Sequence, residues 1–186
     1  KLADPQLAEK VIAEGTAEFI LHGHPSLTEP HWPNKVLRGE EEDILPCIGC
    51  NECIYVIMRI QHSTCAVNPL CGMEKDYALT PASVKKDVLI IGGGPGGLVT
   101  AITAASRGFD VELWEKDSEL GGALIAAGAP DFKVAVKRYV EYLRRQVDKH
   151  KINVHLNKTG TVEDILKREP DSVILAAGSN PIIPKV

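Results

Sequence analysis

Asp87-Val88-Leu89-Ile90-Ile91-Gly92-Gly93-Gly94-Pro95-Gly96-Gly97 is the stretch that decides the fold. Val88 to Ile91 is a continuous apolar run that meets the glycines at once, the pattern of a parallel strand buried on both faces. An alanine-rich helix is expected from Leu98 to Ser106, with Gly108 to stop it. Val111-Glu112-Leu113-Trp114-Glu115 then supplies a second strand. The unit reads as β-α-β. Gly92, Gly94 and Gly97, with Pro95 and Gly96 between them, suit a tight turn, a close approach of backbone to a pyrophosphate, and close helix–strand packing at a helix N-terminus. Glu115 falls where a carboxylate accepts hydrogen bonds from ribose hydroxyls, which argues against a 2′-phosphate, although Lys116 beside it tempers that inference. The competing reading is a glycine turn that serves packing alone.

Working upstream, Cys47, Cys50 and Cys53 recur at two-residue intervals, and Cys65 follows after eleven intervening residues. Three thiols from one tight loop closed by a distant fourth is the pattern that holds a [4Fe–4S] cluster. Structural zinc competes, though it usually draws on two separated Cys-x-x-Cys pairs or on mixed Cys/His sets. Disulfides compete less well, because no secretory signal precedes these cysteines. Cys71, the fifth, is expected to be a small buried apolar residue.

Downstream, Gly121-Gly122 marks a loop and Pro130-Asp131 a helix start. Val136, Tyr139, Val140, Leu143 and Val147 recur at helical spacing, with Lys137, Arg138, Glu141, Arg144 and Arg145 facing away as a solvated face. Ile152 to Leu156 alternates as a short strand with His155 on its polar side, and His150 and His155 read as surface residues. Thr161-x-x-Asp164 suits a helix cap, and Ser172 to Ala177 reads as another buried strand ending at Gly178.

With 186 residues, the chain is one large domain or parts of two. Its formal net charge of −4, with basic residues scattered among acids, makes nucleic acid an unsuitable partner. The apolar runs fall far short of the roughly twenty residues that span a bilayer. Free thiols point to the cytoplasm.

The order of these motifs carries a resemblance. Pro46-Cys47-Ile48-Gly49-Cys50-Asn51-Glu52-Cys53-Ile54, then Cys65-Ala66-Val67-Asn68-Pro69 with Gly72 and Glu74, then the glycine turn and Leu120-Gly121-Gly122, resemble the iron–sulfur flavoproteins related to old yellow enzyme. That family includes 2,4-dienoyl-CoA reductase, 2-enoate reductase and trimethylamine dehydrogenase. The resemblance implies an α/β chain in three parts. Residues 1–45 would be the end of a (β/α)₈ barrel, with Glu18 to His22 as its last strand and His31-Trp32-Pro33-Asn34-Lys35 in the helix leading on. Residues 46–85 would be the iron–sulfur segment, and residues 86–186 the first part of a Rossmann-like FAD/NAD(P)-binding domain. A whole barrel takes some 250 residues, so the chain is expected to be an internal piece of a longer enzyme and inactive by itself.

The implied cofactors are a [4Fe–4S] cluster, FAD or ADP, NAD(P)H, and FMN only with the rest of the barrel. The implied metal ligands are Cys47, Cys50, Cys53 and Cys65. The implied cofactor contacts are Gly92, Gly94, Pro95, Gly96, Gly97, Glu115, Lys116, Gly122, Ala177 and Gly178, with Gly23 and His24 at the FMN phosphate. His24 stands where the family usually has arginine, and it is shorter and forms no bidentate fork. Ala177 stands where the family commonly has threonine. Electrons would pass from NAD(P)H through FAD and the cluster to FMN, which reduces an activated C=C bond of a small molecule, and a homo-oligomer is compatible with this. Alternatives are an amine dehydrogenase running electrons the opposite way, a self-contained electron-transfer module, and a zinc-stabilised nucleotide-binding protein.

Overall fold

Asp4 accepts the Leu7 N–H at 3.0 Å and Pro5 takes the first helical position, so the chain enters helix α1 (Pro5–Ala13) with one of its orphan donors satisfied. The computed structural model describes residues 2–180 and 182, so the outermost ends of the predicted 1–45 and 86–186 segments lie outside it. Contacts divide the chain into two units, Lys1–Ala78 and Leu79–Val186.

The first unit continues with short helices α2 (His24–Thr28) and α3 (Trp32–Leu37), a 3₁₀ turn at Glu41–Asp43, and α4 (Glu52–Met58). Half-buried Trp32 fixes the N-terminal segment by donating its indole N–H to the Ala3 carbonyl at 3.1 Å and meeting the His22 ring edge-on at 4.3 Å. Glu18 to His22 is not the expected strand. No neighbouring strand among the described residues supplies a ladder for it, and Phe19 and Leu21 stand 86% and 95% exposed in irregular backbone.

The second unit is a four-stranded parallel sheet, β1 (Asp87–Ile91), β2 (Asp110–Trp114), β3 (Asn153–His155) and β4 (Ser172–Leu175), in the order β3-β2-β1-β4. Between strands run α5 (Pro95–Ser106), α6 (Ala123–Gly128), a 3₁₀ turn at Asp131–Lys133, α7 (Val134–Lys149) and α8 (Val162–Arg168). Helix α5 lies on β1 and β2, and α7 on α5. The predicted stripe of α7, Val136, Tyr139, Val140, Leu143 and Val147, is buried. Leu89, Ile91 and Trp114 form a cluster with Ile165 of α8 packed against it.

Three readings in this unit are extended or corrected. The loop predicted at Gly121-Gly122 runs straight into helix α6. The final strand stops at Leu175 and is not buried on both faces: Val173 and Leu175, on one face, are 39% and 74% exposed, because no element among the described residues packs over them. His155 is no bystander: its Nε2 lies 3.0 Å from Glu112 Oε1.

Glu112 also accepts the Trp114 indole N–H at 2.6 Å and Arg168 Nε at 2.9 Å, while the Arg168 guanidinium bridges to both oxygens of Asp87. This network ties α8 to two strands. Burial works to raise the Glu112 pKa, but the Trp114 and Arg168 hydrogen bonds and the charges of Arg168 and His155 outweigh it, and the carboxyl is held below its ordinary range. Arg168 is correspondingly raised, first by its bond to Asp87 and then by Glu112. The Thr161 cap forms as expected, with the Asp164 N–H donating to Oγ1 at 3.1 Å.

Candidate functional site

Gly92 and Gly97 of the turn after β1 each have a separate steric reason. Gly92 has φ +112°, and a Cβ there would collide with the Ala176 carbonyl; a Cβ at Gly97 would collide with the Gly92 carbonyl oxygen. These two let helix, turn and β4 close together. Gly94 differs, because a Cβ there would meet nothing within 4 Å, so its face is open. It caps α5, with Pro95 opening the helix and Gly96 and Gly97 in its first turn, so backbone N–H groups face outward beside that open surface.

Glu115 follows β2 and is only 5% exposed. Its Oε2 accepts the Gly93 N–H at 2.5 Å and its Oε1 the Asp117 N–H at 2.8 Å, so the carboxylate is fixed at the turn by backbone donors. Two carboxylate oxygens offer about four acceptor positions, which leaves capacity for a pair of ribose hydroxyls. Gly122, with φ +53°, brings the 119–122 loop onto Gly94, to whose Cα a Cβ at 122 would come within 2.9 Å, and the Gly121 N–H donates to the Gly93 carbonyl at 2.8 Å. Arg144, expected on a solvated face, instead holds this loop, donating through Nε to the Leu120 carbonyl at 2.9 Å and through Nη2 to Glu119 Oε2 at 2.7 Å. Ala177 and Gly178 follow β4, and the Cα of Ala177 would lie 3.2 Å from a Cβ at Gly92. Lys116 is turned to Asp117, 2.8 Å from both carboxylate oxygens, rather than toward the glycine turn.

In the first unit, Gly49 (φ +68°) and Asn51 (φ +61°) are both left-handed and wind the 47–53 loop tightly, so that Cys53 lands in the first turn of α4. Cys47, Cys50, Cys53 and Cys65 line one cavity with Leu27, Thr28, Ile48, Ala66 and Val67; its empty volume is about 290 Å³, part of it open to solvent. Among the described residues no three His, Cys, Asp or Glu side chains close on a single ion. The four thiols share the lining of this one cavity. Burial pushes the Cys53 thiol up, the Ile54 N–H opposes this, and the neighbouring Cys47, Cys65 and Cys50 add to the rise. The Gly49 N–H donates to Cys47 Sγ at 3.4 Å. An all-sulfur donor set in apolar surroundings, with N–H donors turned to the sulfurs, fits an iron–sulfur cluster.

Cys71 is buried, as expected, and outside that lining. His24, read as an FMN phosphate contact, opens α2 after Gly23 and lines the cysteine cavity. Sequence reasoning missed what braces the cavity. Asn68 Nδ2 donates to the Leu27 carbonyl at 2.9 Å, and buried Glu29 accepts from Lys35 Nζ at 2.5 Å and from the Leu45 N–H at 3.2 Å. Short helix α2 and the residue after it thus grip the chain on both sides of the cysteine loop. A buried Glu with a lysine six residues on carries no motif that would have revealed it.

Residues 90–150 match the family model of the NAD(P)-binding Rossmann-like domain. The chain is 39% identical over 191 residues to an NADH oxidase of Thermoanaerobacter brockii and 36% identical over 182 residues to a cinnamate reductase of Clostridium sporogenes, covering 100% and 97% of this chain. It superposes with a TM-score of 0.93 and 34% identity on a solved 2-naphthoyl-CoA reductase, over 100% of this chain. The chain spans 29%, 27% and 28% of the length of these three proteins. The motif order, the parallel sheet behind the glycine turn and the end-to-end likeness lead to one conclusion: the chain belongs to the old yellow enzyme-related family of iron–sulfur flavoproteins.

Proposed function

We propose that this chain is the electron-relay segment of an NAD(P)H-dependent iron–sulfur flavoenzyme that reduces an activated C=C bond of a small molecule. The observation that carries the reading is the presence in one chain of a four-thiol cavity and a nucleotide cradle built from Gly94, Glu115 and the N-terminus of α5. The names of the relatives, an NADH oxidase and two reductases, support the direction of electron flow.

The chain's own residues divide the work. Backbone N–H groups at the start of α5 would bind the pyrophosphate of FAD, and Glu115 would accept the ribose hydroxyls and repel a 2′-phosphate. Cys47, Cys50, Cys53 and Cys65 would hold the [4Fe–4S] cluster, which when bound would supply one-electron transfer. The apolar walls from Leu27, Ile48 and Val67 limit water on the buried side of the cavity, while Cys50 stays exposed.

Anaerobic assay of the full-length protein tests this. The expected result is about four irons per chain and NADH oxidation coupled to reduction of an enoate or enoyl thioester. Zinc in place of iron, or oxidation of amines with no reduction of any enoate, overturns it.

A further inference from the structure

Thr28 is a buried hydroxyl beside the cysteine cavity, 2% exposed, with two partners. Its Oγ1 donates to the His24 carbonyl one turn back at 3.0 Å and lies 3.7 Å from Cys65 Sγ. With Cys65 as a thiol the two contacts form a relay, in which the S–H donates to Oγ1 and the O–H donates to the carbonyl. A thiolate has no proton to give and is a far better acceptor, so a hydroxyl at this site gains by turning its own proton to the sulfur. Among the described residues, the Cys47 and Cys53 sulfurs receive backbone N–H groups, from Gly49 and Ile54. At Cys65 the hydrogen-bonding partner is a side chain.

Resting on the cluster reading above, we propose that Thr28 is a positioning residue for electron transfer: its hydroxyl donates to Cys65 Sγ when that sulfur ligates the cluster, and so raises the cluster's reduction midpoint. A hydrogen bond to a ligand sulfur stabilises the more negatively charged, reduced state, because the donor's partial positive charge acts more strongly on the extra electron. A site of low exposure strengthens this, since little water competes for the sulfur. Thr28 is 37 positions from Cys65 in sequence, and the two meet only because α2 is clamped beside the cysteine loop through Asn68 and Glu29.

The experiment is a redox titration of the full-length protein followed by electron paramagnetic resonance, with iron per chain measured on each sample. Thr28→Val keeps the shape and removes the hydroxyl, Thr28→Ala is a second hydroxyl-free variant, and Thr28→Ser restores the donor. With iron content retained, the oxidised-to-reduced ratio at a fixed solution potential should rise about tenfold in Thr28→Val, a downward shift of about 59 mV for one electron. Thr28→Ser should stay near wild type. An unchanged midpoint in either hydroxyl-free variant that keeps its iron overturns the proposal. Loss of iron in both of those with retention in Thr28→Ser supports it in a stronger form, and loss in all three overturns it in favour of a packing role. Wild-type protein without iron refutes the cluster reading itself, a separate outcome.

Discussion

Gly94 and Gly97 stand three residues apart and are needed for opposite reasons, which gives a pair of substitutions with contrasting outcomes. Gly97→Ala drives a methyl into the Gly92 carbonyl, which cannot move without breaking the turn, so the second unit should lose about 1–3 kcal/mol or more. Gly94→Val puts its Cβ into open space and should leave the melting temperature within a few degrees of wild type, while ADP affinity falls at least a hundredfold because the side chain stands where a pyrophosphate approaches. Calorimetric ADP titration beside thermal unfolding checks both. Normal ADP binding by Gly94→Val would make the turn a packing feature. At this scale the sequence was informative wherever chemistry is local: the glycine spacing, Glu115 and the three clustered cysteines are readable because neighbours in sequence remain neighbours in space. Thr28 and Arg144 were not, since each acts on a residue at least 24 positions away through an ordinary side chain.

Helix α8 is held to the sheet by one guanidinium, with Ile165 as its apolar anchor. Arg168→Ala removes the guanidinium from Asp87 and leaves Glu112 with only Trp114 and His155, which should cost about 2 kcal/mol, less than a fully buried pair because Arg168 is a third exposed. The Glu112 carboxyl is depressed when folded, so its contribution is present above its unfolded value, near pH 4.3, and is lost as pH falls through the lower folded value. The stability gap between wild type and Arg168→Ala should therefore be full at pH 7 and shrink below about pH 4, as measured by urea unfolding across pH. A constant gap would remove charge from the account. Elements were legible when periodicity was long, as in α7, or when a run was uniformly apolar, as in β1. They were misread at α6, whose Ala-Leu-Ile-Ala-Ala-Gly carries no capping signal, at Glu18–His22, where a strand-like sequence lacks a partner, and at β4, whose outer face is uncovered.

The thiol cavity lies wholly within Lys1–Ala78 and the glycine turn wholly within Leu79–Val186, so damage to one should spare the other. Cys50→Ser in the full-length protein should abolish iron binding and the broad visible absorbance near 400 nm while ADP affinity changes less than twofold. Coupled loss of both would mean that the cluster segment is needed to fold the nucleotide unit. The chain's two tryptophans fall one to each unit, half-buried Trp32 against His22 and deeply buried Trp114 under Lys158, whose Nζ lies 3.5 Å from its ring centre. Each unit therefore carries its own fluorophore, differing in polarity and in nearby quenchers. In the 186-residue chain by itself, Trp32→Phe and Trp114→Phe each leave one tryptophan, so the melting of either unit can be followed by light in the presence of the other, without label or cofactor.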